Sequence, residues 1–490
     1  MSNRTTWNSN FAFLMAMIGS AVGLGNIWRF PYVFFSNGQG AFLIPYIIAI
    51  LVLGLPVMLL EYSIGNKFKD SLLNTFERIK DEFQIIGWIM VLIPFLIVTF
   101  YICIVGWGLD YFVFSFTKAW GSNPDAFFVQ DVLHYTTSAN GLFEIVPYII
   151  IAVLILWVVV WFISHRDLNS GIGTFSSIFV PLLFILGIGI AIFNLLLPGA
   201  WIGYMRFFQP DWSLLLNINM WLAAFGQVLF TLSLGIGVIL TYSSHLPDGT
   251  NFTKNAVTVI CANCGFEIIN AVGVFSVLGY MSYSTGIPFD NLISEGSGLA
   301  FVAFPQVFNI MGWPGYILGV LFFFCILIAG LTTIIANIEP LSDSISTKFN
   351  ISRRKTVTIV VILGAFVSLF FTTALGDLLI KAMDGCLNNM FLVFIVILEC
   401  IIFAYFAGID DLMARLNKVT LFKVGNWWKV LVKYVAPIFL AFIWVVGMYQ
   451  LLISLDVISL SVYGIVIIVL IAVPLILYYL SKRVKGAVKA

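Results

Sequence analysis

Long apolar runs, separated by short polar stretches, follow one another along almost the whole chain. A run of about 20 apolar residues predicts a membrane-spanning helix. The pattern therefore predicts an all-α polytopic membrane protein of about twelve helices, forming a single transmembrane domain over residues 1–490. The predicted spans cover residues 11–36, 40–66, 85–117, 146–164, 172–198, 220–246, 252–282, 314–346, 355–374, 377–406, 430–453 and 456–480.

Three glycines and Asn26 interrupt the first run near its midpoint, and Pro31 follows. Each glycine lowers helix propensity by about 1 kcal/mol, and a proline leaves one carbonyl without its donor. We therefore expect two half-helices joined by an unwound segment near residues 21–24. A simple kink with close packing through Gly19 and Gly23 is the plainer alternative.

Unwound backbone at membrane depth must line a cavity or be buried in protein. Its freed carbonyls can bind cations, and the amides that open the second half-helix, near Leu24 and Gly25, can bind an anion. One break would thus place a cation site beside a carboxylate site. The charge of Arg29 favours a functional interpretation, because charges inside the membrane are costly.

A second interruption, Leu-Gly-Ile-Gly at residues 234–237, lies at mid-depth in the sixth run. Paired glycine-interrupted spans in two halves of a chain point to an inverted-repeat transporter. The first repeat would cover about residues 11–198 and the second about residues 220–406. The helices at about 430–480 would be appended to this five-plus-five core.

Charge changes the picture in two ways. Only 10% of the residues are charged and the net charge is +1, so the sequence favours neither a nucleic acid nor an acidic partner. Lysine and arginine concentrate in alternate loops, while the opposite loops hold little beyond Lys118, Arg206 and Lys381. The positive-inside rule then predicts that both termini lie in the cytoplasm. We expect the protein to lie in the plasma membrane and to be a monomer or a homodimer.

Four motifs resemble one known family. They are Ala-Val-Gly-Leu-Gly-Asn-Ile-Trp-Arg-Phe-Pro at 21–31, Asn-Gly-Gln-Gly-Ala-Phe-Leu-Ile-Pro-Tyr at 37–46, Gly-Gln-Val-Leu-Phe-Thr-Leu-Ser-Leu-Gly-Ile-Gly at 226–237 and Ala-Gly-Leu-Thr-Thr at 329–333. On these motifs the chain resembles the neurotransmitter:sodium symporter family, most closely its prokaryotic amino-acid branch. The resemblance implies the leucine-transporter-like fold, with broken first and sixth helices.

The resemblance also implies two Na⁺ sites made of oxygen ligands, which suit hard cations. The first would comprise Ala21, Asn26, Thr231 and Asn263, completed by the carboxylate of the substrate. The second would comprise Gly19, Val22, Ala329, Thr332 and Thr333. Because the substrate is itself a ligand of the first ion, binding of substrate and Na⁺ would be directly coupled.

The resemblance to the family also implies a substrate pocket. Its residues would be Ala21, Leu24, Gly25, Ile97, Tyr101, Phe230, Ser233, Ile236, Thr333 and Asn337. Monoamine-carrying members have an aspartate where this chain has Gly23, so a free amino acid is the better substrate class. Ile236 stands where the leucine-binding members have an aromatic ring, and Asn337 stands where they have a branched aliphatic residue. These two differences predict that the substrate is a small or medium neutral amino acid, with or without a polar group.

Animal members bind chloride beside the first Na⁺ site. The matching positions here are Tyr46, Gln227, Thr231, Asn263 and Glu267. The carboxylate of Glu267 can supply the negative charge that chloride would bring, so the resemblance predicts chloride-independent transport. Glu267 could take up a proton when the empty carrier returns.

The gate residues of the family match this chain only in part. Arg29 and Asp384 match the outer gate, with Tyr101 and Phe230 as its aromatic lid. Arg4 and Trp7 match the N-terminal part of the inner gate. Its usual acidic partner is replaced by Thr347, and His245 stands in place of a tyrosine, so either Asp343 rebuilds this gate or inward closure is weaker. We expect a supporting role for the buried Glu61 and Glu339.

These observations favour a Na⁺-coupled symporter of a neutral amino acid that works by alternating access. Two alternatives remain, a Na⁺-coupled carrier of a betaine or a β-amino acid and a substrate-gated sensor or leak on the same scaffold. An enzyme is not favoured, because the sequence shows neither a clustered metal-ligand set nor a nucleophile elbow. It also lacks a glycine-rich P-loop, which argues against direct ATP drive.

Overall fold

The structure is a computed structural model that describes residues 4–293, 296–453 and 456–489, with side chains described as far as residue 483. Within those ranges, regular structure is helical apart from two isolated β-bridges. Ten helices of this described part are long and apolar enough to cross a membrane, and one bent pair makes an eleventh candidate. The chain is therefore a multi-pass, all-helical membrane protein.

The helices follow the predicted spans, with ends shifted by a few residues. The unbroken ones are Gly40–Phe68 (second), Asp81–Phe114 (third), Pro147–Ser164 (fourth), Asn169–Leu195 (fifth), Phe252–Thr285 (seventh), Pro314–Phe349 (eighth), Arg353–Thr372 (ninth), Gly376–Phe406 (tenth), Asn426–Ile453 (eleventh) and Val457–Arg483 (twelfth). The broken ones are Asn10–Ala21 with Gly25–Ser36 (first) and Ile218–Thr231 with Val238–Ser244 (sixth). Shorter helices between the spans include Leu72–Ile79, Ala200–Phe208, Leu299–Ile310 and Ile409–Leu416.

Local chemistry explains where several helices begin and end. The side chains of Ser9 and Asn251 each accept a hydrogen bond from a backbone amide three residues later, which caps the first and seventh spans. Gly286, with φ of 72°, ends the seventh span in the left-handed conformation that glycine adopts without strain. These ends fall on polar or turn-forming residues that flank apolar runs.

The spans differ in how much of their surface the protein covers. In the third and eighth spans, 72% and 67% of the most apolar segment is buried, so these helices form the centre of the bundle. Only 28% is buried in the fifth and eleventh spans and 22% in the twelfth. Their exposed residues, such as Ile185 and Ile468, are apolar, as a bilayer requires of an outer face.

Candidate functional site

The first span unwinds at its midpoint, where the two half-helices meet at 55°. The amide of Gly23 donates to Asn26 Oδ1 at 2.9 Å, and the amide of Asn26 donates to the carbonyl of Gly23 at 3.2 Å. In a continuous helix these two amides would bind the carbonyls of Gly19 and Val22. Those carbonyls thereby lose their helical donors, which makes them available to a cation.

The sixth span unwinds at mid-depth as well. Ser233, Gly235 and Gly237 have positive φ angles of 53°, 74° and 75°, a backbone that glycine tolerates best. The hydroxyl of Ser233 donates to the carbonyl of Ser20 at 3.1 Å, so the two breaks are in direct contact. The prediction of two broken spans is confirmed.

The side chains predicted for the first Na⁺ site form one buried cluster. Asn26 Nδ2 donates to Asn263 Oδ1 at 2.9 Å and to Thr231 Oγ1 at 3.3 Å. Asn263 Nδ2 donates to the same threonine oxygen at 2.8 Å. Ala21, the last residue of the first half-helix, lies five residues before Asn26. Amide and hydroxyl oxygens meet in this cluster, and this donor set suits a hard cation such as Na⁺.

The positions predicted for the second Na⁺ site bring the first and eighth spans together. The hydroxyls of Thr332 and Thr333 each donate to the carbonyl of Ala329 at 3.0 Å. A Cβ atom on Gly19 would lie 3.2 Å from Thr332 Cβ, so the two helices approach closely only because this residue is glycine. The freed carbonyls of Gly19 and Val22 lie on the facing helix.

A cavity of about 360 Å³ opens beside the two breaks. All ten predicted substrate residues line it, namely Ala21, Leu24, Gly25, Ile97, Tyr101, Phe230, Ser233, Ile236, Thr333 and Asn337. The hydroxyl of Tyr101 accepts a hydrogen bond from the amide of Leu24 at 3.0 Å. This amide and this hydroxyl are suited to bind a carboxylate at the start of the second half-helix.

Two glycines let the backbone of the first break face this cavity. A Cβ on Gly23 would lie 3.0 Å from Thr333 Oγ1 and 3.2 Å from the Tyr101 hydroxyl. A Cβ on Gly25 would lie 2.7 Å from the ring of Phe230. The space therefore exposes bare backbone to a ligand, and a side chain at either position would crowd Thr333, Tyr101 or Phe230.

Glu267 is fully buried next to the cluster predicted for the first Na⁺ site. Its carboxylate accepts hydrogen bonds from Gln227 at 2.6 Å, from Thr231 at 3.0 Å and from the hydroxyl of Tyr46. Thr231 connects this carboxyl group to Asn263 and Asn26, so Glu267 lies one side chain away from the oxygen cluster. The three donors stabilise the charged form of the carboxylate.

Comparison with known proteins identifies the family. A model of the sodium:neurotransmitter symporter family matches residues 4–124 and 121–481. The chain belongs to this family. An uncharacterised sodium-dependent transporter of Methanocaldococcus jannaschii is 38% identical over 437 residues, 89% of each chain. A sodium-dependent dopamine transporter of Caenorhabditis elegans is 29% identical over 89% of this chain and 79% of its own.

The fold has a counterpart among solved structures. The structure of MhsT in complex with L-phenylalanine matches with a TM-score of 0.78 and 28% sequence identity, over 91% of this chain and 100% of MhsT. The leucine-transporter-like fold predicted from the motifs is thereby confirmed. The family is one of sodium-dependent transporters, not of enzymes, which agrees with the absence of catalytic motifs in the sequence.

Arg29 and Asp384, the pair predicted as an outer gate, both line the cavity. The guanidinium of Arg29 stacks over the ring of Phe230, 4.3 Å from its centroid. Asp384 accepts a hydrogen bond from Asn388 at 2.6 Å. The two residues thus line the same cavity as the predicted substrate residues.

At the end of the first span that carries the N-terminus, the N-terminal segment packs against the sixth and eighth spans. Arg4 pairs with Asp343 at 2.5 Å and donates to the hydroxyl of Ser244. The indole of Trp7 donates to the carbonyl of Tyr242 at 2.9 Å, and its amide to the carbonyl of His245 at 3.1 Å. Of the two alternatives left open by the sequence, the structure has the one in which Asp343 replaces the usual acidic partner. We call these contacts of Arg4 and Trp7 the inner latch.

The two glutamates expected to give support are both buried and bound. Glu61 Oε1 accepts the amide of Gly235 at 3.0 Å, and so holds the sixth break from the second span. Glu339 forms a bidentate pair with Arg353, which also donates to the carbonyl of Ser164 at 3.1 Å. Neither carboxylate lines the cavity.

Two residues of this supporting network escaped the sequence reasoning. Glu399, fully buried in the tenth span, faces Glu61, and neither of its carboxylate oxygens has a hydrogen-bond partner in the described structure. A single glutamate in the apolar run of the tenth span was the signal that could have revealed it. Arg353, the partner of Glu339, lies at the end of a span. The positive-inside rule already accounts for a basic residue there, so its pairing with a buried glutamate was not recognised.

Proposed function

We propose that this symporter couples the inward movement of Na⁺ to uptake of a neutral amino acid by alternating access, and that it does not need chloride. The observation that carries the proposal is the first break itself. There, the amide of Leu24 and the hydroxyl of Tyr101 lie beside the oxygen cluster of Asn26, Thr231 and Asn263. A substrate carboxylate in this place can touch both the backbone amides and a bound Na⁺.

The substrate class follows from the charges around the pocket. An amine without a carboxylate would need a counter-charge, and Gly23 supplies none. A zwitterionic amino acid brings its own carboxylate to the amides. MhsT, which has the same fold, was solved with L-phenylalanine, and this supports an amino acid as the substrate.

Chloride independence rests on Glu267. Two Na⁺ ions, the carboxylate of the substrate and an ionised Glu267 sum to zero charge, apart from the ammonium group of the substrate. Uncompensated charge at the centre of a bilayer is costly. A fixed carboxylate bound by Gln227 and Thr231 would therefore supply the negative charge that a bound anion would otherwise bring.

Alternating access needs one side open while the other is closed. The cavity reaches Arg29 and Asp384 at its outer mouth, while the inner latch of Arg4 and Asp343 closes the cytoplasmic side. We place both termini in the cytoplasm, where the basic loops lie. Transport would then break the latch after Na⁺ and substrate have bound.

Uptake into proteoliposomes tests the proposal. An inward Na⁺ gradient should drive accumulation of at least one neutral amino acid in both chloride and gluconate, and a K⁺ gradient should not. Accumulation only in chloride would remove the role assigned to Glu267. Accumulation of a betaine or β-amino acid instead would replace the substrate class, and a Na⁺ current without accumulation would favour a sensor or leak.

A further inference from the structure

One of the predicted substrate residues is a polar side chain whose interaction with a substrate the proposed function does not define. Asn337 lies in the eighth span, lines the cavity and is only 5% exposed. Its Oδ1 atom is buried without a hydrogen-bond partner in the described structure. Leaving a buried amide oxygen unpaired is costly, and a ligand that supplies a donor would remove that cost.

The hydroxyls of Thr333 and Ser233, which line the same cavity, do not supply the donor, because their hydrogens are already used. Thr333 donates to the carbonyl of Ala329 at 3.0 Å, and Ser233 donates to the carbonyl of Ser20 at 3.1 Å. Ile97 and Ile236, which also line the cavity, have no polar group to offer. None of these four side chains therefore pairs with the amide oxygen of Asn337.

Its position suits the end of a substrate side chain. Thr333 lies next to Gly23 and Tyr101, where the substrate carboxylate would bind. Asn337 follows Thr333 by one helical turn, about 6 Å further along the eighth span. A side chain of ordinary length, extending from an α-carbon held at the first break, covers that distance.

We propose, on the basis of the proposed function, that the amino acid carried has a hydrogen-bond donor on its side chain and that Asn337 selects for this donor. The donor would be a hydroxyl, an amide or a ring N–H. A site built to bind such a donor discriminates strongly against an analogue that lacks it, because the amide of the site is then left unpaired. Asn337 is thus the residue that sets specificity between polar and apolar side chains of equal size.

Equilibrium binding to the purified full-length protein in Na⁺ tests this with matched ligands. The pairs are L-threonine with L-valine, L-tyrosine with L-phenylalanine and L-asparagine with L-leucine. The wild type should bind the polar member of at least one pair about tenfold or more tightly. Asn337→Leu, which keeps the branched shape and the number of heavy atoms, should lose at least tenfold for that polar ligand and keep or improve the affinity for its apolar partner.

Asn194→Leu is the matched control, because Asn194 is a buried asparagine outside the cavity whose amide donates to the carbonyl of Gly273. It should leave the selectivity unchanged. Tighter binding of the apolar member in every pair by the wild type would overturn the inference while leaving Na⁺-coupled amino-acid transport intact. Failure of every amino acid to bind in Na⁺ would instead contradict the proposed function.

Two further outcomes would also assign Asn337 another role. An equal loss for both members of a pair in Asn337→Leu would make the residue structural. A shift in the Na⁺ concentration needed for half-saturation, with selectivity unchanged, would make Asn337 an ion ligand. Measuring the Na⁺ dependence of binding for the wild type and both variants separates these results from the expected one.

Discussion

At the scale of single residues, Asn26 connects most of the site. Its side chain accepts from the amide of Gly23, donates to Asn263 and donates to Thr231. One amide thus holds the shape of the first break and joins it to the sixth and seventh spans. A residue with bonds to three elements cannot be changed without affecting both the ion site and the backbone that faces the substrate.

Asn26→Ala should weaken Na⁺ binding and substrate binding together, each by about tenfold or more, because each buried hydrogen bond lost costs about 1 kcal/mol and the unpaired partners cost more. Binding of a radiolabelled substrate across a series of Na⁺ concentrations measures both affinities. Asn194→Ala serves as the control and should change neither. Loss of one affinity with the other unchanged would contradict direct coupling through a shared site.

Glu267→Ser should make transport respond to chloride. The shorter side chain removes the fixed charge and leaves space for an anion among Tyr46, Gln227 and Thr231, which now bind the carboxylate. We expect uptake by the variant to fall severalfold in gluconate and to recover in chloride. Equal uptake by the variant in both anions would refute the charge argument, whereas the wild type should be indifferent to the anion.

The sequence predicted most of these residues because their motifs lie within short, contiguous stretches. Gly23, Gly25 and Asn26 belong to one such stretch, and all ten predicted pocket residues line one cavity. Glu399 was missed because it stands alone among apolar residues, so no pattern of spacing marks it. Its pairing with Glu61 exists only when the second and tenth spans pack together.

At the scale of elements, two helices support the sixth break from opposite sides. Glu61 in the second span binds the amide of Gly235, and Val396 in the tenth span packs so closely that a Cβ on Gly235 would lie 2.2 Å from its Cγ2. Glu399 lies one turn beyond Val396 on the same helix and faces Glu61. The two glutamates differ in that only Glu61 has a hydrogen-bond donor.

Glu61→Leu should therefore destabilise the protein more than Glu399→Leu. The first change leaves the amide of Gly235 buried without an acceptor, at a cost of about 1–3 kcal/mol, whereas the second removes a carboxylate that has no hydrogen bond to lose. Thermal unfolding of the detergent-solubilised protein measures the difference as the shift in Tm. Equal shifts, or a larger loss in Glu399→Leu, would show that Glu399 carries a stabilising contact.

At the scale of the whole molecule, the cavity and the inner latch lie on opposite sides of the two breaks. His245 belongs to the latch, where its ring contacts the carbonyl of Thr5 at 2.7 Å and Arg4 at 3.4 Å. Burial lowers the pKa of His245, and the charge of Arg4 lowers it further, while Asp343 and Glu339 act in the opposite direction. The closed latch thus favours the neutral ring.

An open latch would expose His245 and return its pKa to the ordinary value of about 6.5. The closed state should therefore be favoured above that pH and should lose stability as the pH falls below it, because only the open state binds the proton well. Labelling of a cysteine introduced at Thr241 from the cytoplasmic side, at pH 7.5 and 5.5, measures latch opening.

The control is His245→Gln in the same cysteine background, because glutamine keeps a polar group that does not titrate. The pH changes the reactivity of the labelling reagent equally in both proteins. Labelling of the protein with His245, divided by labelling of the control, should therefore rise severalfold at the lower pH. An identical pH response in both proteins would exclude His245 as the titrating group.

The sequence by itself determined the multi-pass helical class, the two breaks and the family, because apolar run length and glycine clusters are local properties that survive without tertiary context. Only the tertiary structure decided which distant residues meet. Arg4 and Asp343 lie 339 positions apart and Glu61 and Gly235 lie 174 apart. Likewise, the sequence predicted Asn337 as a pocket residue, but only the packing of the eighth span shows that its Oδ1 atom is buried without a hydrogen-bond partner in the described structure.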